Sequence, residues 1–341
     1  MTSSKVRGYN RRDFLSHASA IGTAGLLGLH HQPAAAEPPP ETTRLRIMGG
    51  GSVASCVAPV YAAQEQLLHA EGFTDVRYLE YPSQTLKWPP EVLLSGEVDI
   101  CLSFIPTDII HIAAGHPVVI LGGSHIGCVE LVAKSHIRST RDLKGKTVAI
   151  STDEQNFISM FAAYVGLDPQ KDINWTVHPI PDVAPLFHEG KIDAFMTGPP
   201  VSFELRAKKI GHVLVSTTVD KPWSDYFCCL VASSREFVSK NPIATKRALR
   251  AILKAGDVCA SEPKRIARLI ADKGLGRYDY FLQTLQGLPY GKWRESDPES
   301  SLRFYALRMR ELGMIKSGPQ KIIAKGADWR FLNELKKELK A

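Results

Sequence analysis

The chain is poor in several things that would place it quickly. Cysteine is scarce, with six in 341 residues and none in a C-x-x-C pair, so a disulfide-stapled mini-protein is excluded. Most of the six lie in apolar runs, as in Ile100-Cys101-Leu102, and are expected as buried thiols. One structural disulfide stays open, because the spacing names no pair. No charge sign dominates: 42 Lys+Arg stand against 35 Asp+Glu, a surplus of +7. Residues 1–36 carry +3 of it, as Lys5, Arg7, Arg11 and Arg12 against Asp13. The rest is too even to argue for nucleic acid. Long apolar runs are missing too, since no segment reaches the ~18 residues a membrane-crossing helix needs.

Catalytic and metal motifs are also lacking. There is no HExxH, and His188-Glu189 has no second histidine four residues on. Gly145-Lys146-Thr147 lacks the upstream glycine of a phosphate-binding loop, with Thr140 in its place, and it precedes a strand pattern. Gly50-x-Ser52-x-Ala54 misses the second glycine of a nucleophile elbow. His111 and His116 flank a helix end without further ligands, and Cys228-Cys229 is too short for a cysteine-rich metal motif. No catalytic residue, metal or cofactor is expected.

What is present begins at the N-terminus. Asn10-Arg11-Arg12-Asp13-Phe14-Leu15 precedes a mostly apolar stretch at 18–29, and Ala34-Ala35-Ala36 follows. A charged region, a short apolar region and small residues in that order form an export signal. The paired arginines resemble the twin-arginine type, which carries folded proteins. Cleavage is expected after Ala36. No lipobox cysteine follows, so a soluble periplasmic protein is expected. Residues 37–42, with Pro38-Pro39-Pro40, read as a flexible lead-in.

From there strand and helix alternate. The spacing predicts strands at 45–48, 76–81, 98–103 and 118–121, with helices at 58–70, 85–95 and 106–114 between them. A second unit begins after Gly123, with strands at 129–133, 147–150, 174–178 and 192–196 and helices at 153–165, 182–188 and 200–208. A strand at 227–232 then leads into a region that is helical to the end, including 244–261 and 262–273. Such alternation implies an α/β protein with parallel-type sheets and helices on both faces. The strands at 129–133 and 227–232 read as crossovers between two lobes joined by a hinge. Lobe one is then 43–125 plus 229–341, and lobe two 126–228.

In open α/β sheets ligands bind beyond the carboxyl ends of the strands. That selects Gly51, Ser52 and Ser55 after the first strand and Phe104 and Thr107 after the third. In the second unit it selects Thr152, Asp153 and Thr197, and Tyr226 is an aromatic candidate near the second crossover. Each loop precedes a helix, whose backbone N–H groups hold anions. Asp153 and Glu154 oppose a strongly anionic ligand and suit one carrying an amine or an amidine-like ring.

Four pieces carry a family likeness. They are the strand, Gly/Ser loop and helix start at 45–70; Leu93-Leu94-Ser95-Gly96-Glu97-Val98-Asp99-Ile100; Arg141-Asp142-Leu143-Lys144-Gly145-Lys146-Thr147-Val148-Ala149-Ile150; and Glu189-Gly190-Lys191-Ile192-Asp193-Ala194-Phe195-Met196. Over most of residues 43–260 the chain resembles the substrate-binding proteins of ABC importers. The branch is the NMT1-like one that handles nitrate, sulfonates, taurine and thiamine-pyrimidine precursors. The resemblance implies a two-lobed (type II) periplasmic binding fold and a small anionic or heterocyclic ligand held between the lobes. It also implies a permease and ATPase as partners, a monomer and no enzymatic activity. The alternative is an exported NAD(P)-dependent oxidoreductase, because Gly49-Gly50-Gly51-Ser52-Val53-Ala54 fits G-x-G-x-x-A between a strand and a helix, with Glu80 ending the next strand.

Overall fold

The computed structural model describes residues 37–48, 54–79, 89–150 and 154–339, with residues 54–57 and 180 as backbone alone. The chain divides into Met1–Pro38 and a compact unit, Pro39–Ala341. The expected export signal at 1–36 lies outside the described residues.

The compact unit holds two five-stranded sheets. The first is built from β1 (Arg44–Met48), β2 (Asp75–Leu79), β3 (Ile100–Phe104), β4 (Val118–Ile126) and β10 (Phe227–Ser234) in the order β2-β1-β3-β10-β4. The second holds β5 (Glu130–Ala133), β6 (Thr147–Ile150), β7 (Asn174–Val177), β8 (Ala194–Thr197) and β9 (His212–Ser216) in the order β7-β6-β8-β5-β9. Helices α1 (Ala54–Ala62), α2 (Pro89–Leu94) and α3 (Ile105–Ala114) link the early strands, and α4 (Glu154–Tyr164), α5 (Ile180–His188) and α6 (Val201–Ala207) link those of the second sheet.

The sheets share one plan. In each, a central strand pairs in parallel with two neighbours, β1 with β2 and β3, and β6 with β7 and β8. In each, the strand arriving from the other sheet runs antiparallel in the fourth place: β10 between β3 and β4, β5 between β8 and β9. The sheets are therefore mixed and not purely parallel. Short crossover helices enforce parallel neighbours, whereas β5 and β10 enter by a direct connection.

Two aspartates repeat one task. Asp99 Oδ2 accepts the β1 backbone N–H of Arg46 at 2.7 Å, and Asp193 Oδ2 accepts the β6 N–H of Thr147 at 2.9 Å. The repeated Gly-x-x-Asp segments thus tie a strand's entry to its neighbour. Asp142 closes a capping box, taking the N–H groups of Arg138 and Ser139.

Two expectations need correction. β4 does not stop at Leu121 but runs on through Gly122 and Gly123 to Ile126. Glycine is required there because a Cβ on Gly123 would lie 2.5 Å from the Phe227 ring. β9 was not expected, since five residues after a helix give too short a pattern to stand out. The lead-in also holds an anchored residue. Glu41 accepts the N–H groups of Ile243 and Ala244 at 2.9 Å, where α8 (Pro242–Ser261) begins.

Beyond β10 come α7 (Arg235–Lys240), α8, α9 (Pro263–Asp272), α10 (Tyr278–Gly287), α11 (Pro298–Glu311), α12 (Pro319–Gly326) and α13 (Arg330–Glu338). α8 buries Leu249, Ile252 and Leu253, and α11 buries Leu302, Tyr305 and Met309. One large core joins these helices to both sheets, and a smaller one of Val132, Ala149, Phe187, Ile192, Phe195 and Leu205 serves the second sheet alone.

Candidate functional site

The carboxyl ends of β6 and β8 open onto a cavity of about 220 Å³. Ala149 and Ile150 of β6, and Phe195, Met196 and Thr197 of β8, form its floor. Three helices start at its edge, contributing Glu154 of α4, Pro181, Val183 and Ala184 of α5, and Val201 of α6. The walls are apolar, with the Thr197 hydroxyl and the Glu154 carboxylate as the polar exceptions. Glu154 is buried. A few polar groups in an apolar cavity orient a small ligand, and a buried carboxylate accepts N–H bonds and repels anions.

The first sheet reaches this region through an aromatic contact. Phe104, at the end of β3, meets Phe157 of α4 edge to face at 6.0 Å between centroids. Glu154 sits one turn before Phe157, so the end of β3 abuts the first turn of α4. Phe157 in turn packs edge to face on Tyr305 of α11.

Of the residues selected from the sequence, Thr197 lines the cavity. Phe104 and Thr107 are buried and do not line it. Tyr226 stacks on Phe304 at 4.0 Å and 11° between planes, in a cluster with Trp223 and Tyr305. Ser55 lies in the first turn of α1, its side chain outside what is described. Gly51, Ser52, Thr152 and Asp153 lie outside the described residues, as does the whole Gly/Ser loop at 49–53. The loop after β8 offers fewer N–H donors than expected, because Pro199 and Pro200 have none. Glu154 was noted in the sequence for its charge but not as a wall of the site. Pro181, Val183 and Val201 gave no signal beyond ordinary apolar helix positions.

Of the six cysteines, Cys101, Cys128, Cys228, Cys229 and Cys259 are buried. Burial pushes the Cys101 thiol well above its usual range, and the Asp108 charge adds to this.

Residues 39–272 match the profile of the NMT1-like family. The fold is similar to that of the periplasmic nitrate-binding protein of Synechocystis PCC 6803, with a TM-score of 0.75 at 16% identity over 89% of this chain and 90% of that one. It is also similar to the alkanesulfonate-binding protein of Xanthomonas axonopodis pv. citri bound to MOPS, with a TM-score of 0.65 at 18% identity over 86% of this chain and all (100%) of that one. These likenesses show the fold, that of periplasmic binding proteins. A Haemophilus influenzae protein named "Putative thiamine biosynthesis protein" is 26% identical over 131 residues, 36% of this chain. The match spans 41% of that relative's length.

Proposed function

The chain belongs to the NMT1-like family, and from that premise we propose that it is the solute-binding component of an ABC importer. In this reading it is exported by the twin-arginine-type signal in residues 1–36 and works as a periplasmic monomer without catalytic activity. It delivers its ligand to a membrane permease and ATPase. Among the described residues no helix is long and apolar enough to cross a membrane.

The observation that carries the reading is the cavity at the ends of β6 and β8, with the buried Glu154 carboxylate in its wall. Its apolar lining suits a flat ring. Its carboxylate disfavours nitrate and sulfonate and accepts N–H groups. The ligand is therefore a small N–H-bearing heterocycle of the aminopyrimidine class, not a strong anion. The name of the Haemophilus relative points the same way. Thr197 and Glu154 orient the ring, and Thr152 and Asp153, which follow β6 in the sequence, are assigned to the ligand as further contacts. Gly51, Ser52, Ser55, Phe104, Thr107 and Tyr226, chosen from their places in the sequence, are the further contacts this reading assigns to the first sheet's side. Closure of the two halves then rests on contacts that an open form lacks.

Thermal unfolding against a ligand panel tests this. An aminopyrimidine is expected to raise the Tm, since a ligand at 100 times its Kd stabilises by about 2.7 kcal/mol. Nitrate, taurine and alkanesulfonates are expected to leave the Tm unchanged. Glu154→Gln is expected to weaken aminopyrimidine binding by about ten- to a hundredfold, the effect of losing a charge-assisted hydrogen bond. A shift with sulfonates alone would overturn the ligand class, and no shift across the panel would count against a binding protein.

A further inference from the structure

Away from the cavity, the places where the chain passes between the sheets bring together His125, Cys128, Cys228 and Cys229. All four are buried, and one ligand atom from each lies within 4.8 Å of the others. The backbone explains how. β10 runs antiparallel to β4 with Cys229 opposite His125, and the register shifts on both sides of Cys229. In a regular strand Cys228 and Cys229 would point to opposite faces, but a bulge re-aims a side chain. Their Sγ atoms are accordingly 3.5 Å apart.

Cys128 comes two residues after β4 ends. Its φ of +90° is rare for a residue with a Cβ, and its N–H is held by Thr218 Oγ1 at 3.3 Å. That conformation directs its Sγ to within 2.8 Å of Cys228 and 3.6 Å of Cys229. Cys228 Sγ also contacts the Gly127 carbonyl.

These separations are too long for a disulfide, which needs about 2.05 Å. A tetrahedral ion with ~2.3 Å bonds to sulfur holds its thiolates about 3.7 Å apart. Two of the three sulfur pairs already stand close to that spacing, and the third has to open by about 1 Å. A second observation marks the same place. Tyr305 lies within electrostatic reach of all three thiols, and its buried hydroxyl has no hydrogen-bond partner among the described residues. A neutral O–H beside a metal thiolate is a common outer-sphere donor.

We propose that His125, Cys128, Cys228 and Cys229 form a Cys3His site for one thiophilic d10 cation of the zinc class, clasping the two chain crossings between the sheets. On binding, three thiol S–H bonds are replaced by metal–sulfur bonds and three protons leave to water. Neutral imidazole supplies the fourth bond.

The test uses the full chain, purified anaerobically in the reduced form, stripped of metal and titrated with Co2+ and then Zn2+. The expected result is one ion per chain. Co2+ should give a thiolate-to-cobalt charge-transfer band and the intense visible bands of tetrahedral coordination, all abolished by Zn2+. Zn2+ should raise the Tm and a chelator should reverse the rise. Cys229→Ser and His125→Asn should each weaken Zn2+ binding at least about tenfold. Because those variants can fail to fold, Tyr305→Phe provides a milder check and should shift the cobalt charge-transfer band while keeping the stoichiometry. Folded wild-type chain without the charge-transfer band overturns the proposal. So does cobalt bound with only nitrogen or oxygen signatures, as the exposed His111–His116 pair would give. A Cys128–Cys228 disulfide in metal-free chain from the same anaerobic preparation overturns it as well.

Discussion

Burial drives the Asp108 carboxyl towards its protonated form. It sits in the first turn of α3, with both oxygens 2.7 Å from Ser103 Oγ. Burial pushes its pKa up to about 8, against the lowering effect of the Ser103 hydrogen bond. The folded state therefore holds a proton that the unfolded state releases near pH 4. The stability gained this way is complete below that pH and declines as pH climbs through about 8. Asp108→Asn should flatten the fall of Tm over that interval and leave the variant the more stable above it, as thermal unfolding across pH would show. Single residues were also where the sequence spoke least clearly. His125 and Cys128 lie a hundred positions before Cys228 and Cys229, and a strand reading sends adjacent cysteines to opposite faces. The bulge in β10 and the positive φ of Cys128 unite them, and neither leaves a trace in an apolar run.

At the scale of elements, alternation of apolar strands with amphipathic helices disclosed nearly every unit, because a period of two and a period near 3.6 are visible in any window long enough to hold both. The failures were local. β4 hides its length behind Gly122 and Gly123, the second of which makes room for Phe227, and β9 has only five residues. The cap of α8 was invisible for another reason: its acceptor, Glu41, is some 200 residues upstream. Burial disfavours the Glu41 charge, but the Ile243 and Ala244 N–H bonds outweigh it and hold the carboxyl below its usual range. Its contribution is therefore present above the unfolded carboxyl pKa and lost as pH falls through the lower folded value. Glu41→Gln should cost about 1 kcal/mol and lower the Tm by about 1–2 °C, with the difference vanishing in acid.

For the whole molecule, two sheets of the same strand order meet through Phe104, Phe157, Trp223, Phe304 and Tyr305. The two-sheet plan was readable because each sheet repeats the same Gly-x-x-Asp entry. The cavity was readable only as a set of strand ends, since its walls are ordinary apolar residues made significant by their meeting. If the halves draw together around a ligand as proposed, X-ray scattering should show a smaller radius of gyration with a saturating aminopyrimidine. Glu154→Gln at the same concentration should keep the larger value.

The place of β10 has a consequence for biosynthesis. It lies between β3 and β4, yet a hundred residues or more separate it from both in the chain. The ribosome therefore delivers four strands of the first sheet long before the one that joins them. Every strand of the second sheet emerges in that interval. The later-made half can be finished while the earlier-made half still waits, so the nascent polypeptide matures from its middle outward and not from its beginning.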